Sequence, residues 1–158
     1  MRILGVDPGL AATGYGIVDW VDGRATVGEA GVINTTESDD LAERVHKVYR
    51  EVAELIAQFR PDAMAVEGLY ADYEHPRTAV LMGHARGVML LAAAQHGIPV
   101  TTYPPARIKK AITGNGSASK EQVQRMVQTL LGLAEQPMPD HVSDALAAAL
   151  CHGATVGA

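Results

Sequence analysis

Apolar and polar positions alternate along the chain in stretches of two kinds, and their order predicts the architecture. Arg2 to Asp7 is a short apolar run halted at Pro8-Gly9, the pattern of a strand closed by a turn. Thr13 to Trp20 (TGYGIVDW) and Ala25 to Asn34 predict two more strands, joined through Asp22-Gly23, a strong hairpin signal. From Asp39 the period changes: Leu41, Val45, Val48, Val52, Leu55, Ile56 and Phe59 recur mainly at intervals of three and four, which predicts an amphipathic helix ending near Pro61. Ala63 to Leu69 (AMAVEGL) reads as a short buried strand. His75 to His96 reads as a long helix rich in Ala and Gly, stopped by Gly97-Ile98-Pro99. Val100 to Tyr103 predicts a fifth strand before Pro104-Pro105. A basic turn and a Gly-rich connection (Gly114-Asn115-Gly116) then lead to Ser119, a cap for a helix carrying Val123, Met126, Val127, Leu130 and Leu131. A final Ala-rich helix begins at Asp140, which is expected to act as its N-cap.

The order βββαβαβαα describes an α/β fold: a mixed sheet with three antiparallel strands first, helix-linked strands after, and helices on both faces. At 158 residues, with no repeat or long linker, a single domain spanning 1–158 is expected. No apolar run approaches the ~20 residues of a membrane span, and the N-terminus opens directly on a strand. The single Cys151 excludes an internal disulfide framework and a cysteine-clustered zinc site, so a reducing, cytoplasmic setting is expected.

Net charge is −5, which taken alone argues against a nucleic-acid partner. The charges are segregated, however. Residues 75 to 125 contain Arg77, Arg86, Arg107, Lys109, Lys110, Lys120 and Arg125 against the single acid Glu121, while the flanking stretches are acidic. Such a ridge is either a solvated surface or a phosphate-binding one.

Two carboxylates stand out. Asp7 ends a largely apolar strand, and Glu67 is the only charged residue in AMAVEGL. Each also has an ordinary reading, as a turn residue and as a strand-end surface residue. If both lie on neighbouring central strands, burying them requires pairing, protonation or a cation. In open sheets of this kind the site usually lies beyond the carboxyl ends of such strands. The last helix adds His141 and Asp144, three apart and so on one face of its first turn. A set rich in hard oxygen donors suits Mg²⁺ or Mn²⁺ better than structural zinc, and two such ions could activate a water and stabilise the leaving oxygen of an in-line phosphoryl displacement. There is no Gly-x-Ser-x-Gly elbow and no P-loop, and Cys151 in the Ala-rich helix reads as a buried structural thiol.

Five blocks, ILGVDPGLAATGYG (3 to 16), AVEGLY (65 to 70), GHARGVMLLAA (83 to 93), GNGSASKEQVQRMV (114 to 127) and DHVSDALAAAL (140 to 150), resemble in order and spacing the Holliday-junction resolvases of the RuvC type. The resemblance implies a ribonuclease H-like fold and an endodeoxyribonuclease that resolves Holliday junctions by paired symmetric nicks in DNA recombination and repair. It implies that Asp7, Glu67, His141 and Asp144 bind two divalent cations, Mg²⁺ or Mn²⁺, at the scissile phosphate. His141 departs from the Asp found in many relatives and would serve as a metal ligand or as a proton shuttle. Tyr70 stands where relatives often carry Phe, a position for stacking on an unpaired base. Lys109 and Lys120 match phosphate-contacting positions, with Arg77 and Lys110 as further DNA-binding candidates. The implied partners are a four-way DNA junction, a second copy of the chain and the branch-migration helicase complex (RuvA and RuvB). A two-fold dimer also has support in the residues: Val80, Leu81, Val88, Met89, Leu90 and Leu91 spread apolar surface over a wide arc of the 75–96 helix. Two rivals remain open at this point, an actin-like or sugar-kinase ATPase, which requires a second Asp-Gly phosphate turn, and a junction-binding module without catalysis.

Overall fold

The computed structural model describes residues 1–68 and 75–157. Strands β1 (Arg2–Asp7), β2 (Ala12–Val21) and β3 (Arg24–Asn34) form an antiparallel meander. Its β2–β3 turn is the expected two-residue one, with positive φ at both Asp22 (49°) and Gly23 (75°), the backbone that a tight hairpin needs. Helix α1 (Leu41–Phe59) leads to β4 (Ala63–Glu67), and α2 (Pro76–Gln95) leads to β5 (Val100–Tyr103), both strands adding in parallel. The chain ends with α3 (Pro105–Thr113), α4 (Lys120–Leu130) and α5 (Asp140–Val156). The sheet order is β3-β2-β1-β4-β5, so β1 and β4 are central neighbours, as anticipated.

Side-chain alternation sorts the core into two halves. Leu4, Val6, Met64 and Val66 point to the face covered by α1 and α2, packing with Val48, Val52, Ala85 and Met89. Ile3, Ala65 and Val18 point to the other face, where α5 lies with α3 and α4 beside it. By the same alternation, Asp7 and Glu67 at the strand ends face α5.

Helix α5 approaches the sheet unusually closely because the strands present glycine beneath it. A Cβ placed on Gly5 would lie 2.0 Å from the carbonyl oxygen of Ala145, and one on Gly14 would lie 1.9 Å from that of His141. A Cβ on Gly16 would meet the Leu146 side chain at 2.4 Å. The helix answers with Ala145, Ala147, Ala148 and Ala149, all buried.

Three expectations need correction. The segment expected as a basic turn is helix α3, which starts at Pro105, ends at Gly114 in the left-handed conformation and buries Ile108 and Ile112, four apart, against α5. Asp140 is not the N-cap of α5. Pro139 is, and Asp140 is the first helical residue, its carboxylate turned to α4. On α2, Met89 is fully buried against α1; the exposed apolar side chains are Val80 and Leu91, 60% and 50% accessible. Ser119 does cap α4, in a reciprocal box with Gln122, and Cys151 is buried and free as expected. Among the described residues no helix is long and apolar enough to cross a membrane.

Gly14→Ala forces backbone apart from backbone and is expected to destabilise the fold by about 1–3 kcal/mol, measured as a shift in urea midpoint. Gly16→Ala meets only a leucine side chain that can turn, and is expected to cost less. Equal, negligible shifts for both would show that α5 is not seated by the missing side chains.

Candidate functional site

Parallel pairing of Val6 with Val66 places Asp7 and Glu67 one residue further along adjacent strands, on strands about 4.8 Å apart. The N-terminal turn of α5 covers them: close seating on Gly14 brings His141 over β1, and Nδ1 of His141 lies 2.9 Å from Oδ2 of Asp7. An ionised carboxylate only accepts, so the imidazole donates from Nδ1 and leaves Nε2 free of this bond. The Asp7 side chain is only 14% accessible and that of His141 46%, which makes the pair an exposed ring fixed to a buried acid.

The turn after Asp7 is held at several points. Thr13, fully buried, donates from Oγ1 to the Gly9 carbonyl at 2.6 Å. Thr35 donates to the Leu10 carbonyl, and Arg44 Nε donates to Thr35 Oγ1 at 2.9 Å.

Among the described residues two clefts open on this end of the sheet. One of about 220 Å³ is lined by Glu67, Asp144, Lys109 and Lys120, with Pro105, Ile108, Val123 and Ala147 as its walls. The other, about 760 Å³, runs from Asp7 and His141 past Arg44 to Arg77. Of the residues singled out in the sequence, Asp7, Glu67, His141, Asp144, Lys109, Lys120 and Arg77 therefore line this rim. Lys110 is exposed on α3 and lines neither cleft. Tyr70 lies outside the described residues. Sequence reasoning missed Arg44, although an arginine in register with Val48, Val52 and Ile56 on the buried stripe of α1 was a usable signal.

Crowding of carboxyl groups sets the electrostatics. Glu67 is pushed up to about 7, first by burial and then by repulsion from Asp7 and Asp144. Asp144 rises to about 6 through burial and Asp7, with Lys120 working against the shift. Burial raises Asp7 as well, opposed by the His141 hydrogen bond. Lys120 is held above its usual range because Asp144 and Asp140 outweigh the effect of burial. Among the described residues no three acidic, histidine or cysteine side chains stand close enough to hold an ion as they are. Asp7 is bonded to His141, and the ammonium of Lys120 lies 3.8 Å from Asp144. The donor set nevertheless fits a hard divalent cation in charge and type: three carboxylates sharing one strand-end rim, at least two of them resisting ionisation without a positive neighbour.

These shifts make a prediction for metal-free protein. A carboxyl whose folded value exceeds its unfolded one binds an extra proton in the native state, so its contribution to stability falls as pH rises, here between about 4.5 and 7 for Glu67. Glu67→Gln is expected to raise the melting temperature at pH 8 in chelator, where the native acid is charged, and to leave it nearly unchanged at pH 5. The same gain at both values would remove the electrostatic account.

A profile of the family described as "Crossover junction endodeoxyribonuclease RuvC" matches residues 3–152. A protein of that name from Pelotomaculum thermopropionicum is 49% identical over 152 residues, covering 96% of this chain and 92% of its own length. Among solved structures, Thermus thermophilus RuvC superposes with a TM-score of 0.93 at 38% identity over 99% of this chain and 96% of that one. A second structure, of T. thermophilus RuvC in complex with Holliday junction substrate, gives a TM-score of 0.92 at 35% identity, with 99% and 96% coverage. The fold is accordingly ribonuclease H-like, and the chain belongs to the RuvC family of crossover junction endodeoxyribonucleases.

Proposed function

We propose that this chain is an endodeoxyribonuclease that resolves Holliday junctions by paired, symmetric nicks in DNA recombination and repair, working in the cytoplasm. Nucleases of this family are divalent-metal dependent. The observation that carries the reading is the meeting of Asp7 and Glu67, from adjacent strands, with His141 and Asp144 from the first turn of α5. In this reading those four side chains would hold two Mg²⁺ or Mn²⁺ ions, whose charge would favour ionisation of a water and offset negative charge at the leaving oxygen.

The protein's own groups do the rest. Buried Asp7 keeps the His141 ring in one tautomer, so that Nε2 is the nitrogen able to take up an ion or a proton at the cleft. Lys109 and Lys120 on one side and Arg77 on the other place cations along the two clefts, where they neutralise phosphates flanking the cut. Lys110, exposed one residue further on α3, extends that path as a surface charge. Tyr70, which follows β4 in sequence, is assigned to stacking on an unpaired base near the cut. A module that binds junctions without cutting them has no use for three mutually repelling carboxyls on one rim, and this disfavours the non-catalytic alternative.

The substrate's approximate two-fold symmetry calls for two sites, and α2 offers the surface to pair them. Val80 and Leu91 stand exposed on a helix where Gly83 and Gly87 leave open space for close approach of a second helix. The branch-migration complex of RuvA and RuvB is the partner assigned to the resulting homodimer.

A synthetic four-way junction incubated with Mg²⁺ or Mn²⁺ is expected to yield two symmetric nicks with ligatable ends. Asp7→Asn is expected to reduce cleavage roughly 10³-fold or more while the mobility shift of the junction persists, because a charge-stabilising ligand is lost and no phosphate contact is. Wild-type cleavage by that variant refutes the site. Leu91→Glu is expected to convert the dimer to monomer in sedimentation analysis, and an unchanged dimer would move the interface away from α2.

A further inference from the structure

Lys120 is the first residue of α4, and its ammonium lies 3.3 Å from Oδ2 of Asp140 and 3.8 Å from Oδ2 of Asp144. The two acids are four residues apart on α5 and so flank the ammonium from one side of that helix. Asp140 is itself braced. Gln124, one turn beyond Lys120 on α4, donates from Nε2 to Asp140 Oδ1 at 3.0 Å. One oxygen of Asp140 is thus fixed by α4, and the other receives the lysine of the same helix. Asp144, by contrast, engages Lys120 at the longer distance and belongs to the carboxyl set assigned to metal.

An ammonium and a divalent cation repel, so the two cannot both sit against Asp144 at full strength. The lysine stem is long and the side chain 54% accessible, which lets the head group move without repacking the core. We infer that Asp140 is a positioning residue: it holds Lys120 at the mouth of the site, where the ammonium is the internal counter-ion of Asp144 until metal enters and is then released toward the scissile phosphate. This rests on the metal-nuclease reading given above. It gives Asp140 a role that its position at the start of α5 does not by itself suggest, and it makes Lys120 serve the resting site as well as the substrate.

The test is metal binding to the full-length protein without DNA. Calorimetric titration with Mn²⁺ is expected to show Lys120→Gln binding about two- to fivefold more tightly than wild type, the size expected for removing a competitor held by exposed ion pairs. In ¹⁵N-labelled protein, the side-chain ammonium signal that disappears in Lys120→Gln is expected to shift as Mg²⁺ saturates the site. Asp140→Asn is expected to raise KM for the junction up to about fivefold with kcat little changed, and to add nothing further in a Lys120→Gln background. Unchanged Mn²⁺ affinity in Lys120→Gln with an ammonium signal indifferent to Mg²⁺ overturns the inference and leaves the nuclease reading intact. Additive losses in the double variant also overturn it, since Asp140 would then act through the helix and not through Lys120. Failure of the wild-type protein to bind either metal would overturn the underlying site and this inference with it.

Discussion

The arrangement depends on one close contact, the direct seating of α5 on the sheet. Gly5, Gly14 and Gly16 remove the side chains that would stand between strand and helix, and in two of the three positions an added carbon would strike helix backbone rather than a movable group. The interaxial gap is therefore set by backbone surfaces, which are stiff, and not by flexible side chains, which would let the helix drift. That stiffness fixes where His141 stands over Asp7. The carboxyl-lined rim inherits its geometry from residues that carry no chemistry.

A rim assembled in this way is electrostatically unfavourable on its own. Burial and mutual repulsion push Glu67 to about 7 and Asp144 to about 6, so near neutral pH the native state gains by taking up protons that the unfolded chain would release. The structure offsets the repulsion locally, through the imidazole at Asp7 and the ammonium at Asp144. Neither is a structural necessity for the fold, since both side chains are about half exposed. Charge is thus stored at a site that a divalent cation can neutralise, and the basic ridge of α3 and α4 sits beside it, reaching the acids through Lys120. A net charge of −5 conceals this, because acids and bases that work together lie in different segments of the chain.

Much of this was legible in the sequence where local pattern and chemistry coincide. The meander, the Asp22-Gly23 turn and the helix-linked β4 and β5 followed from period and turn residues, and Asp7 and Glu67 were marked by being charged at the ends of apolar strands. What escaped lacked a local signature. Helix α3 has nine residues and only two buried positions, too few for a periodic signal, and its basic face read as a turn. Asp140 looked like a cap because it opens a helix, yet Pro139 holds the N-cap position and the Asp140 carboxylate accepts from Gln124 of α4. Arg44 did carry a signal, a charge on the buried stripe of α1, but its partner Thr35 becomes apparent only once the chain after β3 is seen to pack beside it. Long-range pairing, not propensity, decides each of these.

The two faces of the sheet divide the labour. On one, α5 with α3 and α4 brings carboxylates and lysines to the strand ends; on the other, α1 and α2 build an apolar layer whose outer surface is left unfinished at Val80 and Leu91. Asp7 and Glu67 lie on the central strands that both layers clamp, so a partner docking on α2 would bear on the strands carrying the acids without touching them. This separation has a physical consequence for a substrate with two-fold symmetry. The spacing between two such sites would be set by rigid sheets and one helix pair, while the half-exposed Lys120 stands at the mouth of each on α4.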